Sequence, residues 1–120
     1  MVEKQWSIYM IENRLGMNYC GICTDLSRRF YEHASNSKRC AKALRGKGPL
    51  VLKYAAIVGD HSSALKLEYW FKKQSRTTKL KIIKGQLNLP SDPIKVEQSQ
   101  LNELQQQIEN KLMKGTSPDT

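Results

Sequence analysis

Glu68 is the residue whose setting first suggests chemistry. On a helix its neighbours at i−4, i−3 and i+3 are Ala64, Leu65 and Phe71, which puts its carboxylate on a partly apolar surface. A carboxylate there is unfavourable unless something neutralises it. Two partners fit. One is a hard divalent cation such as Mg²⁺, which takes one carboxylate and keeps several waters. The other is the ammonium of Lys72, one helical turn on. Arg29 and His33 stand four apart and share a helix face. An arginine is permanently charged and grips two oxygens of a phosphate at once, although a plain surface position suits it equally. A lone helix histidine serves as readily in a structural hydrogen bond as in a site. Tyr9 and Tyr19 complete the set. A phenol titrates near 10 and is a poor base at neutral pH unless a cation beside it favours the ionised form.

These side chains depend on a short series of elements. Trp6 to Ile11 is aromatic and β-branched and reads as a strand. Period two sends Trp6, Ile8 and Met10 to one face and Ser7, Tyr9 and Ile11 to the other. A turn over 12–17, with Asn13 and Gly16, leads to a returning strand from Asn18 to Cys23 that groups Tyr19, Gly21 and Cys23. Pairing of 9 with 19 would set both phenols on one face, but the residues leave the hairpin register open. Thr24 or Asp25 can cap a helix running to about Ala34, with Leu26 and Phe30 as its buried stripe. Ser35 to Pro49 reads as a basic loop. Leu50 to Val58 is a third strand, followed by a helix from Asp60 or Ser62 to about Ser75. A short helix from Thr77 or Thr78 stops at Gly85. Leu87 to Pro93 reads as a linker, and 97–114 is helix-prone with Leu101, Leu104, Ile108 and Leu112 at helical spacing.

At 120 residues there is room for one ordinary domain. No apolar run reaches the roughly 18 residues of a membrane span. The apolar run after the polar start Met1 to Gln5 is too short for an export signal, so a cytosolic protein is expected. Three cysteines cannot close a disulfide framework and suit a reducing compartment. The Cys20-x-x-Cys23 spacing is that of many zinc sites, but on a strand it points the two thiols to opposite faces. Charge is uneven: residues 1–85 carry 17 basic and 6 acidic side chains, whereas residues 86–120 carry 3 and 5. A body this basic concentrates polyanions, of which nucleic acid is the commonest.

The motifs Ser7-Ile8-Tyr9, Tyr19-Cys20-Gly21 and Thr24-Asp25-Leu26-Ser27-Arg28-Arg29-Phe30-Tyr31-Glu32-His33 then bring the chain into a known pattern. With Lys42 to Leu50 and Leu65 to Phe71 in the same order, the chain resembles the GIY-YIG nuclease domain in its small stand-alone bacterial form, over residues 5 to about 85. The resemblance implies an α+β fold, a three-stranded antiparallel sheet flanked by helices, in a nuclease domain of residues 1–85 followed by a linker and helical tail over 86–120. It implies metal-dependent hydrolysis of phosphodiester bonds, with Tyr9, Tyr19, Arg29 and His33 as catalytic residues and Glu68 as the ligand of Mg²⁺ or Mn²⁺. Two positions depart from the family pattern: Ser7 stands where glycine is usual, and Cys20 where an aliphatic residue is usual. The downstream asparagine of many larger members has no placed counterpart.

The expectation is thus a small nuclease of the bacterial cytosol acting on DNA, or on RNA, with repair or processing of DNA as its setting. Tyr9 is expected to activate water and Tyr19 to position it, the reverse assignment being nearly as good. Lys38, Arg39, Lys42, Arg45, Lys47, Lys72, Lys73 and Arg76 are expected along the nucleic-acid backbone. The alternatives are a binding module with little catalysis and a subunit of a larger complex, in which the 97–114 helix docks a partner or a second copy. The narrow stripe and acidic balance of the tail lead to the expectation that it is dispensable for folding.

Overall fold

The computed structural model describes residues 4–115. Strands β1 (Trp6–Glu12), β2 (Asn18–Cys23) and β3 (Val51–Gly59) follow the three expected runs, and helices α1 (Leu26–Ala34), α2 (His61–Lys72) and α3 (Arg76–Ile83) the expected helical segments. Asp25, Asp60 and Ser75 cap the three helices, each side chain accepting from a backbone N–H three residues on. Of the alternatives at each helix start, Asp25 and Asp60 are the caps, and Thr24 and Ser62 are not.

The sheet has four antiparallel strands in the order β2-β1-β3-β4, not three. The added strand β4 (Ile94–Lys95) lies in the stretch leading out of the expected linker and pairs with Ala56 and Ile57. Two residues between Pro93 and the next helix are too few to print a period-two pattern, which is why no strand was expected there. Helix α4 (Gln98–Gly115) follows.

The sheet separates two apolar layers. On one face Tyr9, Ile11 and Cys23 pack with Phe30 of α1, Cys40 and Leu44 of the 35–49 loop, and Leu101 and Ile108 of α4. On the other, Ile8, Met10 and Cys20 pack with Leu67 and Phe71 of α2 and Ile82 and Ile83 of α3. The tail therefore belongs to the packed body. Leu101 and Ile108 are buried in the same cluster as Tyr9, and the side chain of Gln105 accepts from the Leu52 N–H and donates to the Leu50 carbonyl, both at 2.9 Å. This differs from the expectation of a dispensable tail. A stripe narrow in sequence suffices because the face it covers is already apolar.

Candidate active site

The β1–β2 hairpin sets the first geometry. Tyr9 pairs with Gly21, and Tyr19 with Ile11, two residues away from a 9-to-19 pairing. A shift of two preserves parity, so both phenols still lie on one face. Their ring centroids are 6.3 Å apart. Gly21 is what lets the Tyr9 ring cross β2. A Cβ there would come within 2.5 Å of the Tyr9 hydroxyl and 3.1 Å of the Tyr19 ring.

Helix α1 delivers the next two residues. His33 is fully buried, and its Nε2 lies 2.8 Å from the Tyr9 hydroxyl. Its Nδ1 accepts the backbone N–H of Ala41 at 3.2 Å. Burial, with the nearby charge of Arg29, lowers the His33 pKa to about 4, so the ring is neutral at physiological pH. A neutral ring that accepts at Nδ1 carries its proton on Nε2, and so His33 donates to the Tyr9 oxygen. The loop after α1 thereby selects the tautomer that orients the phenol. The thiol of Cys40 donates to the His33 carbonyl at 3.3 Å and pins the same loop from below.

Tyr9 itself is buried, and burial together with Tyr19 raises its pKa well above that of a free phenol, the charge of Arg29 opposing them. Arg29 Nη1 donates to Glu32 at 2.9 Å and to the Arg39 carbonyl at 2.7 Å. Glu32 also lies 3.9 Å from Arg28. Sequence reasoning missed this carboxylate, although its spacing of three and four from the two arginines was a readable signal. It also missed the Ala41 N–H, for which composition offers none.

Glu68 approaches from the other layer. Helix α2 packs beneath β2, where the Glu68 carboxylate adds to burial in pushing the Cys20 thiol up to about 12. Lys72 pairs with Glu68 at 3.2 Å, and its ammonium stands 6.0 Å from the Tyr19 ring centre, reaching past the edge strand. Among the described residues no three His, Cys, Asp or Glu side chains converge as a ready metal cage. What is present is one partly exposed carboxylate paired with a half-exposed lysine. That donor set fits a hard cation that completes its shell with waters and a substrate phosphate.

The expected backbone-binding residues divide. Lys38, Arg39, Lys42 and Arg45 are exposed on the 35–49 loop, with Lys47 half-buried. Arg45 spends its guanidinium on the carbonyls of Lys38 and Cys40, at 3.3 and 3.2 Å, holding the loop's shape. Lys73 lies 4.2 Å over the exposed Tyr69 ring, and Arg76 lines a hollow with Met17, Asn18 and Lys79. Cys20 and Cys23 fall in opposite layers of the sheet.

Tyrosines from two paired strands, an arginine and a histidine from the following helix and a glutamate from the helix after β3 stand on the elements and in the order that the resemblance implies. The family described as the GIY-YIG catalytic domain matches residues 5–81, and the chain belongs to it. Its relatives are UPF0213 proteins, small stand-alone members. One from Vibrio campbellii is 44% identical over 77 residues, covering 64% of this chain and 72% of the relative. Another, from Photorhabdus laumondii, is 42% identical over 83 residues, covering 69% and 78%. The solution structure of a UPF0213 protein from Bacillus halodurans is 32% identical and covers 67% of this chain and 83% of that one, with a TM-score of 0.45. Among the described residues no helix is long and apolar enough to cross a membrane.

Proposed function

We propose that the chain is a nuclease that hydrolyses phosphodiester bonds of DNA with the help of Mg²⁺ or Mn²⁺. The observation that carries this reading is the meeting of Tyr9, Tyr19, His33 and Arg29, from three elements, on one face of a basic body. Phosphodiester hydrolysis needs an aligned water, a cation against the charge that grows on phosphorus, and help for the leaving oxygen. Arg29 is the cation aimed at the phosphate. Its ties to Glu32 and the Arg39 carbonyl hold the guanidinium in place beside Tyr9. Glu68 would hold the metal, which when bound supplies Lewis-acid stabilisation of phosphoryl charge.

The tyrosine roles favour the reverse assignment. Tyr9 is sealed in, accepts from His33 and resists ionisation, which suits a neutral hydroxyl that orients a neighbour. Tyr19 is only partly buried and stands beside the Lys72 ammonium, so it is the phenol that water reaches. His33 acts through Tyr9 and is a positioning residue. The bacterial cytosol and a role in DNA repair or processing are the setting this chemistry suits.

The test is cleavage of a panel of DNA and RNA structures with and without Mg²⁺. Glu68→Ala is expected to abolish cation-dependent cleavage while keeping DNA binding, since it removes a negative charge. Arg29→Ala is expected to slow cleavage by about 10²–10³-fold, the usual effect of losing one electrostatic stabiliser. A parent that binds DNA but cuts nothing on the panel would turn the reading into that of a binding module.

A further inference from the structure

We propose that the groove between β3, the end of α3 and the β4–α4 segment binds the phosphates of a nucleic-acid strand, as a second contact surface apart from the tyrosine site. The proposal rests on the nucleic-acid reading above for the identity of its occupant. The groove, about 370 Å³, is lined by Lys53, Lys84 and Lys95 together with the carboxamides of Gln98, Asn102 and Gln105, and among the described residues no acidic side chain lines it.

Three observations separate it from a merely solvated surface. First, the lysines come from three elements that the fold need not have brought together: β3, the C-cap of α3 and β4. Like charges sharing one groove repel, and an anion between them reverses the sign of that interaction. Second, Lys53 is aimed by a β-bulge. Met10 pairs with Tyr54 and Ile11 with Leu52, so Lys53 is the extra residue between them. A bulge re-aims a side chain out of the strand's alternation. Third, the wall is fixed in advance. Gln105 is bonded to both Leu50 and Leu52 and reaches Glu109 at 3.0 Å, Gln98 donates to Asn102 at 2.9 Å, and Lys95 stands 5.4 Å over the Tyr54 ring.

The groove begins two strands away from Tyr19, across the buried Ile11 and Leu52. Tyr19, Ile11 and Leu52 are cross-strand partners in one row. Two strand spacings separate the ends of that row by about 10 Å. This is the rise of about three nucleotides of a duplex strand. Two thirds of the residues that line the groove lie beyond residue 81, where the family match ends. The C-terminal segment is slightly acidic as a whole, yet it brings one of its three basic residues, Lys95, to this place. The tail thus completes a binding surface that the family segment only begins.

The experiment compares the full chain with Lys53→Gln/Lys84→Gln/Lys95→Gln and with a charge-matched control, Lys4→Gln/Lys81→Gln/Lys111→Gln. Affinity for a labelled duplex is measured by fluorescence anisotropy between about 50 and 200 mM salt. Each phosphate neutralised adds roughly 0.9 to the steepness of the log–log plot on duplex DNA. The groove variant is expected to lose about 2–3 from that slope and the single Lys95→Gln change about 0.9, with the control keeping the parent slope. Relief of repulsion should leave the groove variant melting no lower than the parent. A groove variant whose slope equals that of the control overturns the proposal while the nuclease reading stands. A parent that binds no DNA at any salt overturns both. Titration with inorganic phosphate and a mononucleotide, followed at the amides of Lys53 and Lys95, provides a further arm. Saturation there with an unchanged DNA slope would make the occupant a small phosphate ligand and overturn the strand.

Discussion

The two faces of the sheet treat their functional side chains in opposite ways. On the α1/α4 face Tyr9 and His33 are sealed from water, neutral and bonded to each other, with Gly21, the Ala41 N–H and the Cys40 thiol holding them. On the α2/α3 face Glu68 sits at the rim with one lysine partner and open surface around it. The first arrangement is costly to disturb because its polar atoms are paired within the fold, with no water to replace a lost partner. The second is free to change partners, as a carboxylate that exchanges a lysine for a cation must be. The lesson is that one site can be half structural and half adaptable, so stability and chemistry should separate by face.

Removing the tail is the harshest test of that division. Ending the chain at Gly85 strips β4, Leu101 and Ile108 from the Tyr9 layer. At about 1.5–3 kcal/mol for each large apolar side chain exposed, the loss is on the order of 5 kcal/mol, comparable with the whole stability of a small domain. The truncated chain is expected to lose its cooperative thermal transition and its cleavage together. A sharp transition near that of the parent would show that Leu101 and Ile108 are not part of the core of the Tyr9 layer.

His33→Ala should come next, at about 2–4 kcal/mol, from a buried cavity and from the loss of the hydrogen bonds that His33 makes to the Tyr9 hydroxyl and the Ala41 N–H. Urea unfolding at pH 7 measures it. The same residue sets an acid dependence. The unfolded imidazole takes its proton near 6.5 and the folded one near 4, so between those values the unfolded state binds more protons. Stability therefore falls as the pH drops from about 6.5 towards 4, by a total on the order of 3 kcal/mol from this group. In His33→Ala that part of the slope should vanish.

Gly21→Ala is expected to cost about 1–3 kcal/mol, because the new methyl meets a Tyr9 ring that is buried and held by His33. Cleavage should fall with it as the phenol is displaced. The smallest effect on stability belongs to the other face. Glu68→Ala removes a partly exposed carboxylate with one exposed ion pair, and its melting temperature should stay within the equivalent of about 0.5 kcal/mol of the parent even as cleavage is lost. A large drop in melting temperature would show that Glu68 is structural and would erase the contrast between the faces.

Much of this was legible from residue order alone. Alternation along Trp6 to Ile11 and Asn18 to Cys23 grouped the side chains within each strand by face, and the register, an even shift from a 9-to-19 pairing, then set both tyrosines on one side. The caps at Asp25 and Asp60, the helical spacing of Arg29 and His33, and the basic excess are local properties of a chain and read as such. What tertiary structure alone decided is which of these groups meet and in what state. The exact pairing of Tyr9 with Gly21, the tautomer chosen by the Ala41 N–H and the neutrality of His33 depend on burial and on a backbone group eight residues away from the histidine. The fourth strand depends on the edge of β3 nearly forty residues earlier, and the seating of Leu101 and Ile108 on an apolar face that β1, β2, α1 and β3 build. Local pattern specifies the surface each element presents, and only packing specifies which surface it is pressed against, because desolvation is a property of the pair.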